Sequence, residues 1–335
     1  MHTKTISLPV KIAGLGTYLP ERVVTNEELE ADLGLDPGWI AKRTGICERH
    51  YNTGETAIHQ AAQAVTAALA RAGLTVSDVD AFVGASSGPQ QLIPCNAALL
   101  QRELGAPDGG SMCFDINATC LSFPVALHTV APLVASGAYR CAVIFSTEIA
   151  SRSLNPDQKE SAVLFGDAAA AAVLVRTPDG ESSAIHLARF ATHSSGAEHT
   201  QFRGAGSAHH PNDPWTTTAM NQFDMNGPAI FLQGARAMTP FLDSFFAELG
   251  IPRQAIRHVV PHQASGHAVD LLHKRLGFCS RQVVRNLETR GNCIAASIPV
   301  ALTEAVQAGR IERGDSVLLV GTGAGLTLGA LALTY

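Results

Sequence analysis

The chain has 335 residues, of which 46% are hydrophobic and only 16% are charged, and its formal net charge is −5. At roughly 150 residues per domain, this length predicts two domains or one duplicated unit. The apolar content excludes an intrinsically disordered chain. The acidic balance gives the whole protein no attraction for nucleic acid or for an anionic membrane. We therefore expect neither as a partner.

The seven cysteines form no CxxC pair, and no spacing between them repeats. An odd number without a repeated spacing argues against a secreted disulfide framework and against a zinc ribbon. The N-terminal stretch MHTKTISLPVKIAGLG lacks the apolar core of a signal peptide. We therefore expect a cytoplasmic protein without a structural metal.

Helices and strands alternate through the N-terminal half, and each helix ends near a glycine. One helix ends near Gly73, and a second follows Cys120 and ends near Gly137. The predicted strands of this half lie at 79–83, 112–116 and 141–146.

A polar segment at 194–222, rich in Gly, His and Pro, separates this half from the rest of the chain. A loop of this length predicts a lid or a variable region. Three histidines lie within it, but they have no carboxylate or cysteine partners at ligand spacing, so we expect no metal there. They are His199, His209 and His210.

The same order of elements returns in the C-terminal half. A helix ends near Gly250, 177 positions after Gly73, and a strand at 256–260 follows it. The tetrapeptide Pro-Val-Ala-Leu at 124–127 recurs at 299–302, a shift of 175 positions. Similar shifts in the same order predict an internal duplication.

The last twenty residues, 316–335, carry no charge and resemble a membrane span in length. Four glycines divide them into short apolar runs, which predicts two buried strands joined by a glycine turn. We therefore expect no membrane-spanning helix. The glycines are at positions 321, 323, 325 and 329.

These elements predict two α/β halves, 1–177 and 183–335, each built around a mainly parallel, doubly covered sheet. Sites in such folds gather at the carboxyl ends of strands. We expect Cys120, His262 and the glycine turn at 321–325 to converge where the two halves meet.

Cys120 lies between a predicted strand and a predicted helix, and this position suits a nucleophile. The free N–H groups of a helix N-terminus lower the pKa of a thiol, so we expect thiolate near neutral pH. Position alone favours a buried, inert cysteine, which is the more common role of a free thiol.

His262 and Asn292 are candidate hydrogen-bond donors for the same site. His262 follows the strand at 256–260, and Asn292 precedes the helix that repeats the one after Cys120. Either could stabilise an oxygen on which charge develops. A structural histidine and an asparagine that caps a helix or holds a turn remain open alternatives. Together with Cys120, the set suits acyl-thioester chemistry.

The sequence resembles the thiolase-fold condensing enzymes, and most closely the β-ketoacyl-acyl-carrier-protein synthase III family. The resemblance runs nearly end to end. The residues on which the resemblance rests are Trp39-Ile40, Arg43-Thr44-Gly45-Ile46, Glu48-Arg49, Cys120, Phe165-Gly166-Asp167, Pro261-His262-Gln263-Ala264, Gly291-Asn292, Ala295-Ala296-Ser297 and the glycine turn 321–325. It implies a thiolase-like fold of duplicated α/β halves in α-β-α-β-α layers, and it implies no cofactor.

The resemblance also implies a two-stage reaction. Cys120 would accept an acyl group from acyl-coenzyme A, with the oxyanion held by the backbone N–H groups of Cys120 and Ala324. His262 and Asn292 would then stabilise the enolate that forms as malonyl-acyl-carrier-protein loses carbon dioxide. Attack on the acyl-cysteine would give a β-ketoacyl thioester for fatty acid or related biosynthesis.

Family contacts to coenzyme A map onto five residues of this sequence. Trp39 would stack on the adenine, Arg43 and Arg152 would bind phosphates, and Phe231 would lie beside the pantetheine arm. Ser265 stands where the family commonly has Asn, so the resemblance implies altered positioning of pantetheine or water.

Ile93 aligns with a phenylalanine that seals the acyl pocket across a homodimer in some members. Isoleucine is smaller, so we expect room for a longer or branched acyl group. The resemblance implies a homodimer, and the acyl carrier protein as partner. A basic cluster at 251–290, with seven positive and two negative side chains, would attract this acidic protein. A solvated helix face is the alternative.

Two other functions remain open on the sequence. One is an acyltransferase or condensing enzyme of specialised metabolism, with a different acceptor or a longer acyl donor. The other is a non-catalytic partner that only binds the carrier protein.

Overall fold

A computed structural model of the chain describes residues 7–335. The elements up to residue 176 are β1 (Val10–Tyr18), β2 (Arg22–Thr25), α1 (Asn26–Leu33), α2 (Trp39–Thr44), β3 (Glu48–Tyr51), α3 (Ala57–Ala72), β4 (Ala81–Gly84), α4 (Asn96–Glu103), β5 (Met112–Asp115), α5 (Ser122–Ala135), β6 (Cys141–Glu148), α6 (Lys159–Ala162) and β7 (Ala168–Arg176). The remaining elements are β8 (Ala184–Thr192), β9 (Thr200–Gln201), β10 (Asp224–Met225), α7 (Gly227–Leu249), β11 (His258–Pro261), α8 (Gly266–Lys274), α9 (Leu287–Arg290), α10 (Ser297–Gln307), β12 (Ser316–Gly323) and β13 (Thr327–Thr334).

Two sheets form the framework. One has the strand order β1-β7-β6-β4-β5 and the other β11-β12-β13-β8. β4 pairs in parallel with β5 and β6, and β11 pairs in parallel with β12. The remaining pairs in these sheets are antiparallel. The expectation of mainly parallel sheets is therefore wrong. Between β12 and β13 the chain turns back within a few residues, and a connection this short permits only antiparallel pairing.

Five layers stack as α-β-α-β-α. Helices α5 and α10 lie between the two sheets, and their apolar faces share one core cluster with strands of both. Helices α3 and α4 cover the outer face of the first sheet. Helices α7 and α8 cover the outer face of the second. This arrangement confirms the predicted thiolase-like α/β fold.

The internal repeat is visible in the turns that precede the two central helices. Thr119 before α5 has φ +53°, and Ile294 before α10 has φ +48°. Such left-handed backbone is uncommon for residues with a side chain and strained for a β-branched one, so its recurrence 175 positions later is a specific likeness. The division at 1–177 and 183–335 stays an interpretation, and residues 1–6 lie outside the described part.

The uncharged C-terminal stretch forms the hairpin that its glycines predict. β12 and β13 pair antiparallel from Ser316 with Thr334 to Gly323 with Thr327. Within residues 7–335, no helix is long and apolar enough to cross a bilayer.

The segment 194–222 contains a 3₁₀ turn at Ser194–His199 and strand β9, which pairs with β10.

Candidate functional site

A cavity of about 1220 Å³ draws its walls from both halves of the chain. Nine of the predicted site residues line it: Cys120, His262, Asn292, Ala324, Trp39, Arg43, Arg152, Phe231 and Ser265. Ile93 does not belong to the lining of the described single chain, and it is 84% exposed. The structure therefore brings together the predicted nucleophile, its two donors and the predicted coenzyme A contacts.

Cys120 lies in the 3₁₀ turn Thr119–Leu121, just before α5 begins. The left-handed Thr119 is held by Asn117, whose side-chain oxygen accepts a hydrogen bond from the Thr119 N–H at 2.9 Å. The turn points the thiol into the cavity, where it keeps partial exposure. Strand order and turn geometry together place the sulfur at the junction of the halves.

Burial raises the pKa of the Cys120 thiol to about 12, and the nearby Glu148 carboxyl adds to this rise. Backbone N–H groups of Ala324 and Cys120 lower the pKa but do not offset the burial. The expected lowering of this pKa is therefore wrong for the free protein. The physical reason is that loss of solvation outweighs the few N–H dipoles available at this turn.

His262 directly follows β11, and its N–H donates to the Val320 carbonyl oxygen at 2.8 Å. Its ring is nearly buried, and burial lowers the pKa of the imidazole to about 4. The ring is therefore neutral at physiological pH and carries one N–H. Gly321 makes room for it, since a Cβ at that position would lie 2.6 Å from the His262 Cβ.

Asn292 sits in a turn that is fixed on three sides. Its N–H donates to the Leu164 carbonyl at 2.7 Å, and its own carbonyl accepts from the Gly166 N–H at 3.1 Å. Its side-chain oxygen accepts from the Ile294 N–H at 2.9 Å. The side-chain NH₂ makes only a long contact of 3.4 Å with the Ala264 carbonyl. Asn292 thus holds the left-handed turn with its oxygen and keeps its NH₂ available to the cavity.

The predicted oxyanion donors lie beside the sulfur. The backbone N–H groups of Cys120 and Ala324 are close enough to the Cys120 thiol to lower its pKa. The Ala324 carbonyl accepts from the Thr119 hydroxyl at 3.4 Å. A thioester carbonyl attacked by this sulfur would bring its oxygen close to the same two N–H groups, the arrangement that stabilises a tetrahedral oxyanion.

The predicted nucleotide contacts lie along the cavity wall. Trp39 begins α2, and the Arg43 guanidinium lies over its ring at 5.4 Å. Trp39 also packs against a small core cluster, so part of its surface is structural. The exposed Arg43 lies 3.6 Å from Glu160, a weak surface pair that a phosphate could replace. Ser265 caps α8 by accepting from the Ala268 N–H at 3.3 Å.

The basic cluster at 251–290 is largely neutralised within the fold. Five of its seven cations form ion pairs, which are Arg253–Asp243, Arg257–Asp315, Lys274–Asp270, Arg285–Asp270, Arg285–Glu288 and Arg290–Glu304. Three of the carboxylates come from outside the segment, so its field is weaker than the sequence count implies. The expected net charge of +5 therefore overstates the attraction for an acidic partner.

Two residues of this region escaped the sequence reasoning. Asn117 repeats Asn292 at a shift of 175 positions, and each holds a left-handed turn through its side-chain oxygen. Glu148 ends β6 and lines the cavity beside Cys120. The repeat itself could have revealed Asn117. Nothing in the local sequence marks Glu148.

Among residues 7–335, no cluster of three or more metal-binding side chains is present.

Comparison with known proteins follows the whole length of the chain. β-Ketoacyl-[acyl-carrier-protein] synthase III of Symbiobacterium thermophilum is 38% identical over 329 residues, covering 98% of each chain. The chain belongs to the β-ketoacyl-acyl-carrier-protein synthase III family. Residues 114–196 match the family described as 3-oxoacyl-[acyl-carrier-protein (ACP)] synthase III, and residues 246–335 match its C-terminal counterpart.

Solved structures of synthase III proteins have the same fold. That of Aquifex aeolicus VF5 superposes with a TM-score of 0.88 at 32% identity, covering 97% of this chain and all of the other. The priming β-ketosynthase of the R1128 polyketide pathway gives 0.89 at 28% identity, covering 97% and 96%. The family consists of acyltransferase-type condensing enzymes that need no cofactor.

Proposed function

We propose that this synthase III condenses an acyl-coenzyme A starter with malonyl-acyl-carrier-protein through an acyl-Cys120 intermediate. The observation that carries the proposal is the single cavity that unites Cys120, His262 and Asn292 with the contacts expected for coenzyme A. A thiol beside two side-chain donors and two backbone donors suits transfer of an acyl group followed by stabilisation of an enolate.

In the first stage the Cys120 sulfur attacks the thioester carbonyl and forms a new S–C bond. The tetrahedral oxygen is held by the N–H groups of Cys120 and Ala324. The carbon–sulfur bond to coenzyme A then breaks, and the leaving sulfur takes up the proton that Cys120 gives up. Because both the thiol and the His262 ring are neutral in the free protein, this proton moves as the bond forms.

In the second stage the malonyl thioester loses carbon dioxide, and its thioester oxygen gains negative charge. The neutral His262 ring and the Asn292 NH₂ each donate a hydrogen bond to that oxygen. The enolate carbon attacks the acyl-Cys120 carbonyl, a carbon–carbon bond forms, and the Cys120 sulfur leaves and takes up a proton from solvent. Donors that cannot lose their proton favour decarboxylation because they stabilise the enolate without quenching it.

The size of the acyl pocket depends on a different part of the molecule. Ile93 and its neighbour Leu92 are 84% and 69% exposed, on the loop where the family seals its acyl pocket across a homodimer. We infer a homodimer in which Ile93 closes the partner's acyl pocket, with more room than a phenylalanine would leave. All seven cysteines are free thiols, which suits the cytoplasm.

The second candidate function keeps the fold and changes the donor or acceptor. An Ile93 pocket would admit longer or branched acyl groups, and a priming ketosynthase of polyketide synthesis is among the structures that superpose on this chain. The protein would then act in a specialised pathway.

Intact-mass profiling of the protein against coenzyme A thioesters of increasing length tests the proposal. We expect wild type to gain one acyl mass and Cys120→Ala to gain none. Asn292→Ala should acylate normally but lose release of carbon dioxide from malonyl-acyl-carrier-protein. Acylation retained by Cys120→Ala would exclude the nucleophile, and equal loss of both stages in Asn292→Ala would exclude its role. Wild type that acylates but condenses only with another acceptor would favour the second function.

A further inference from the structure

Behind the cavity wall, one buried carboxyl group fixes the turn that presents Arg152. Asp167 directly precedes β7, is 1% exposed and lies outside the cavity lining of the described chain. Its carboxyl accepts hydrogen bonds from the Ser151 N–H at 2.8 Å and from the Ser151 hydroxyl at 2.5 Å. Both donors belong to the 3₁₀ turn Ala150–Ser153, which contains Arg152. The residue next to Arg152 is therefore held from behind by two hydrogen bonds to one carboxyl group.

The same carboxyl holds a second segment of the wall. It accepts the Asn52 N–H at 2.8 Å. The Asn52 side chain in turn accepts the Gly54 N–H at 3.0 Å and donates to the Glu55 carbonyl at 2.7 Å. Gly54 and Glu55 line the cavity. One carboxyl group thus joins two wall segments that are distant in the chain.

Asp167 is itself held in place by backbone contacts. Its N–H donates to the His50 carbonyl at 2.8 Å, and the preceding Gly166 N–H donates to the Asn292 carbonyl at 3.1 Å. Gly166 has no room for a side chain, because a Cβ there would lie 2.2 Å from the Arg290 carbonyl oxygen. An anchor fixed in this way sets the position of the turn that is bound to it.

Arg152 has the properties of a phosphate contact. It is exposed and lines the cavity, and within residues 7–335 its guanidinium forms no ion pair. Arg43, by contrast, lies 3.6 Å from Glu160. Glu160 belongs to α6, the next helix after the Arg152 turn, so the two arginines belong to neighbouring parts of the wall. Arginine binds phosphate through charge-assisted hydrogen bonds of defined geometry, so its direction matters as much as its charge.

We propose that Asp167 is a positioning residue for coenzyme A, because its carboxyl fixes the Ala150–Ser153 turn and so sets the direction of Arg152 toward the phosphates. The inference rests on the proposed function, in which coenzyme A thioesters are the acyl donors. Asp167 touches no substrate atom in this scheme. Without the carboxyl, the Ser151 N–H would lose its acceptor and the turn would relax to find another.

Calorimetric titration with free coenzyme A tests the inference without turnover. We expect Asp167→Asn, which replaces one acceptor oxygen with an NH₂ group, to raise the Kd at least about fivefold, since a misplaced donor loses much of its contact. Arg152→Ala should raise it at least about tenfold, because hydrogen bonds to a charged group are removed. Adding Asp167→Asn to Arg152→Ala should raise it less than about twofold further, since both changes act through one contact.

Two outcomes of the titration would overturn the inference. One is an unchanged Kd in Asp167→Asn, and the other is an effect that adds in full to that of Arg152→Ala. Wild type that binds coenzyme A but never acylates Cys120 would refute the proposed function, and the Kd values would still decide the role of Asp167.

A truncated donor, acyl-pantetheine, separates phosphate positioning from general damage to the site. It has the reacting carbonyl but no phosphate. Asp167→Asn should raise the half-saturating concentration of acyl-coenzyme A at least about fivefold, while the maximal rate and acylation of Cys120 by acyl-pantetheine stay within about twofold of wild type. Equal losses with both donors would show a merely structural role. If Asp167→Asn does not fold, Ser151→Ala removes only the hydroxyl and should change the same ratio about threefold.

Asp315→Asn is the matched control. Asp315 is 6% exposed, accepts the Glu312 N–H at 2.9 Å and pairs with Arg257. It directly precedes β12, at the end of that strand opposite to the cavity. Its loss should lower stability but leave the Kd of coenzyme A and the ratio of the two donors unchanged. A shift of that ratio as large as in Asp167→Asn would mean that any loss of a buried carboxylate has this effect, and would overturn the inference.

Discussion

Cys120 and His262 are both uncharged in the free protein near neutral pH, and burial is the cause in each case. It raises the pKa of the thiol to about 12 and lowers that of the imidazole to about 4. A resting thiolate–imidazolium pair, as in cysteine proteases, is therefore not the ground state here. We therefore expect the thiol to lose its proton only as a thioester carbonyl approaches the backbone N–H groups of Cys120 and Ala324.

This charge state predicts an order of reactivity among the cysteines. Cys279 is exposed, and hydrogen bonds from Arg281 lower its pKa. In the absence of substrate, iodoacetamide at pH 7 should modify Cys279 at least about tenfold faster than Cys120, because the thiolate is the reactive form. Peptide mass spectrometry over time measures both rates in one sample.

The pH dependence of the same reaction supplies the control. Alkylation of Cys120 should rise steadily from pH 7 to 9 without levelling off, since its pKa lies well above that range. A rate for Cys120 that equals that of Cys279 at pH 7, or that levels off below pH 8, would contradict a buried neutral thiol.

At the scale of single residues, sequence alone could identify chemical types but not their ionisation. The strand-to-helix position of Cys120 is readable from the pattern of apolar runs. The depth at which its sulfur lies depends on packing between two sheets distant in the chain. Glu148 illustrates the same limit, because its hydrogen bonds with Ser87 join residues 61 positions apart.

Strand β12 is the element on which the site geometry depends most. His262 lies against Gly321, and Thr119 lies against Gly323, where a Cβ would come within 2.6 Å of the Thr119 hydroxyl oxygen. Two glycines on one strand therefore let the catalytic turn and the histidine approach the same backbone. Their spacing of two residues is what one face of a strand requires.

Gly321→Ala should consequently displace His262 and lower both stability and malonyl decarboxylation. Overpacking of this kind costs about 1–3 kcal/mol. Gly234→Ala is the control, since its Cβ would meet only the Thr322 methyl group at 3.7 Å, an ordinary contact with the same strand. It lies within α7, where alanine favours helix by about 1 kcal/mol. Urea unfolding and release of carbon dioxide measure both variants, and a Gly321→Ala protein as active and stable as Gly234→Ala would refute the close approach.

The hairpin β12–β13 and the helices α5 and α10 could be predicted from apolar runs and glycines. Strand direction could not, because a buried strand of five apolar residues has the same pattern in parallel and antiparallel sheets. The sequence could not predict that the basic cluster at 251–290 is neutralised either, because its acidic partners are distant in the chain. Arg257 pairs with Asp315 and Arg290 with Glu304, partners brought near only by the fold.

At the scale of the whole molecule, two buried groups of the cavity affect stability in opposite directions as pH changes. The pKa of His262 falls from 6.5 to about 4, so the unfolded chain binds the extra proton between these values and stability falls as pH falls. The pKa of Glu148 rises from 4.5 to about 7, so the folded chain binds the extra proton and stability falls as pH rises. Between pH 4.5 and 6.5 the two effects offset each other.

Removing either group should therefore expose the effect of the other. Relative to wild type, Glu148→Gln should gain about 3 kcal/mol of unfolding free energy as pH rises from 4.5 to 7, since each pKa unit is worth about 1.4 kcal/mol. His262→Asn should gain a similar amount, relative to wild type, as pH falls from 6.5 to 4. Urea unfolding at half-unit pH intervals measures both differences. If the difference in unfolding free energy between a variant and wild type stayed constant with pH, the removed group would have its ordinary pKa in the folded protein. Such a pKa would mean that the group is exposed to solvent, contrary to its burial in this structure.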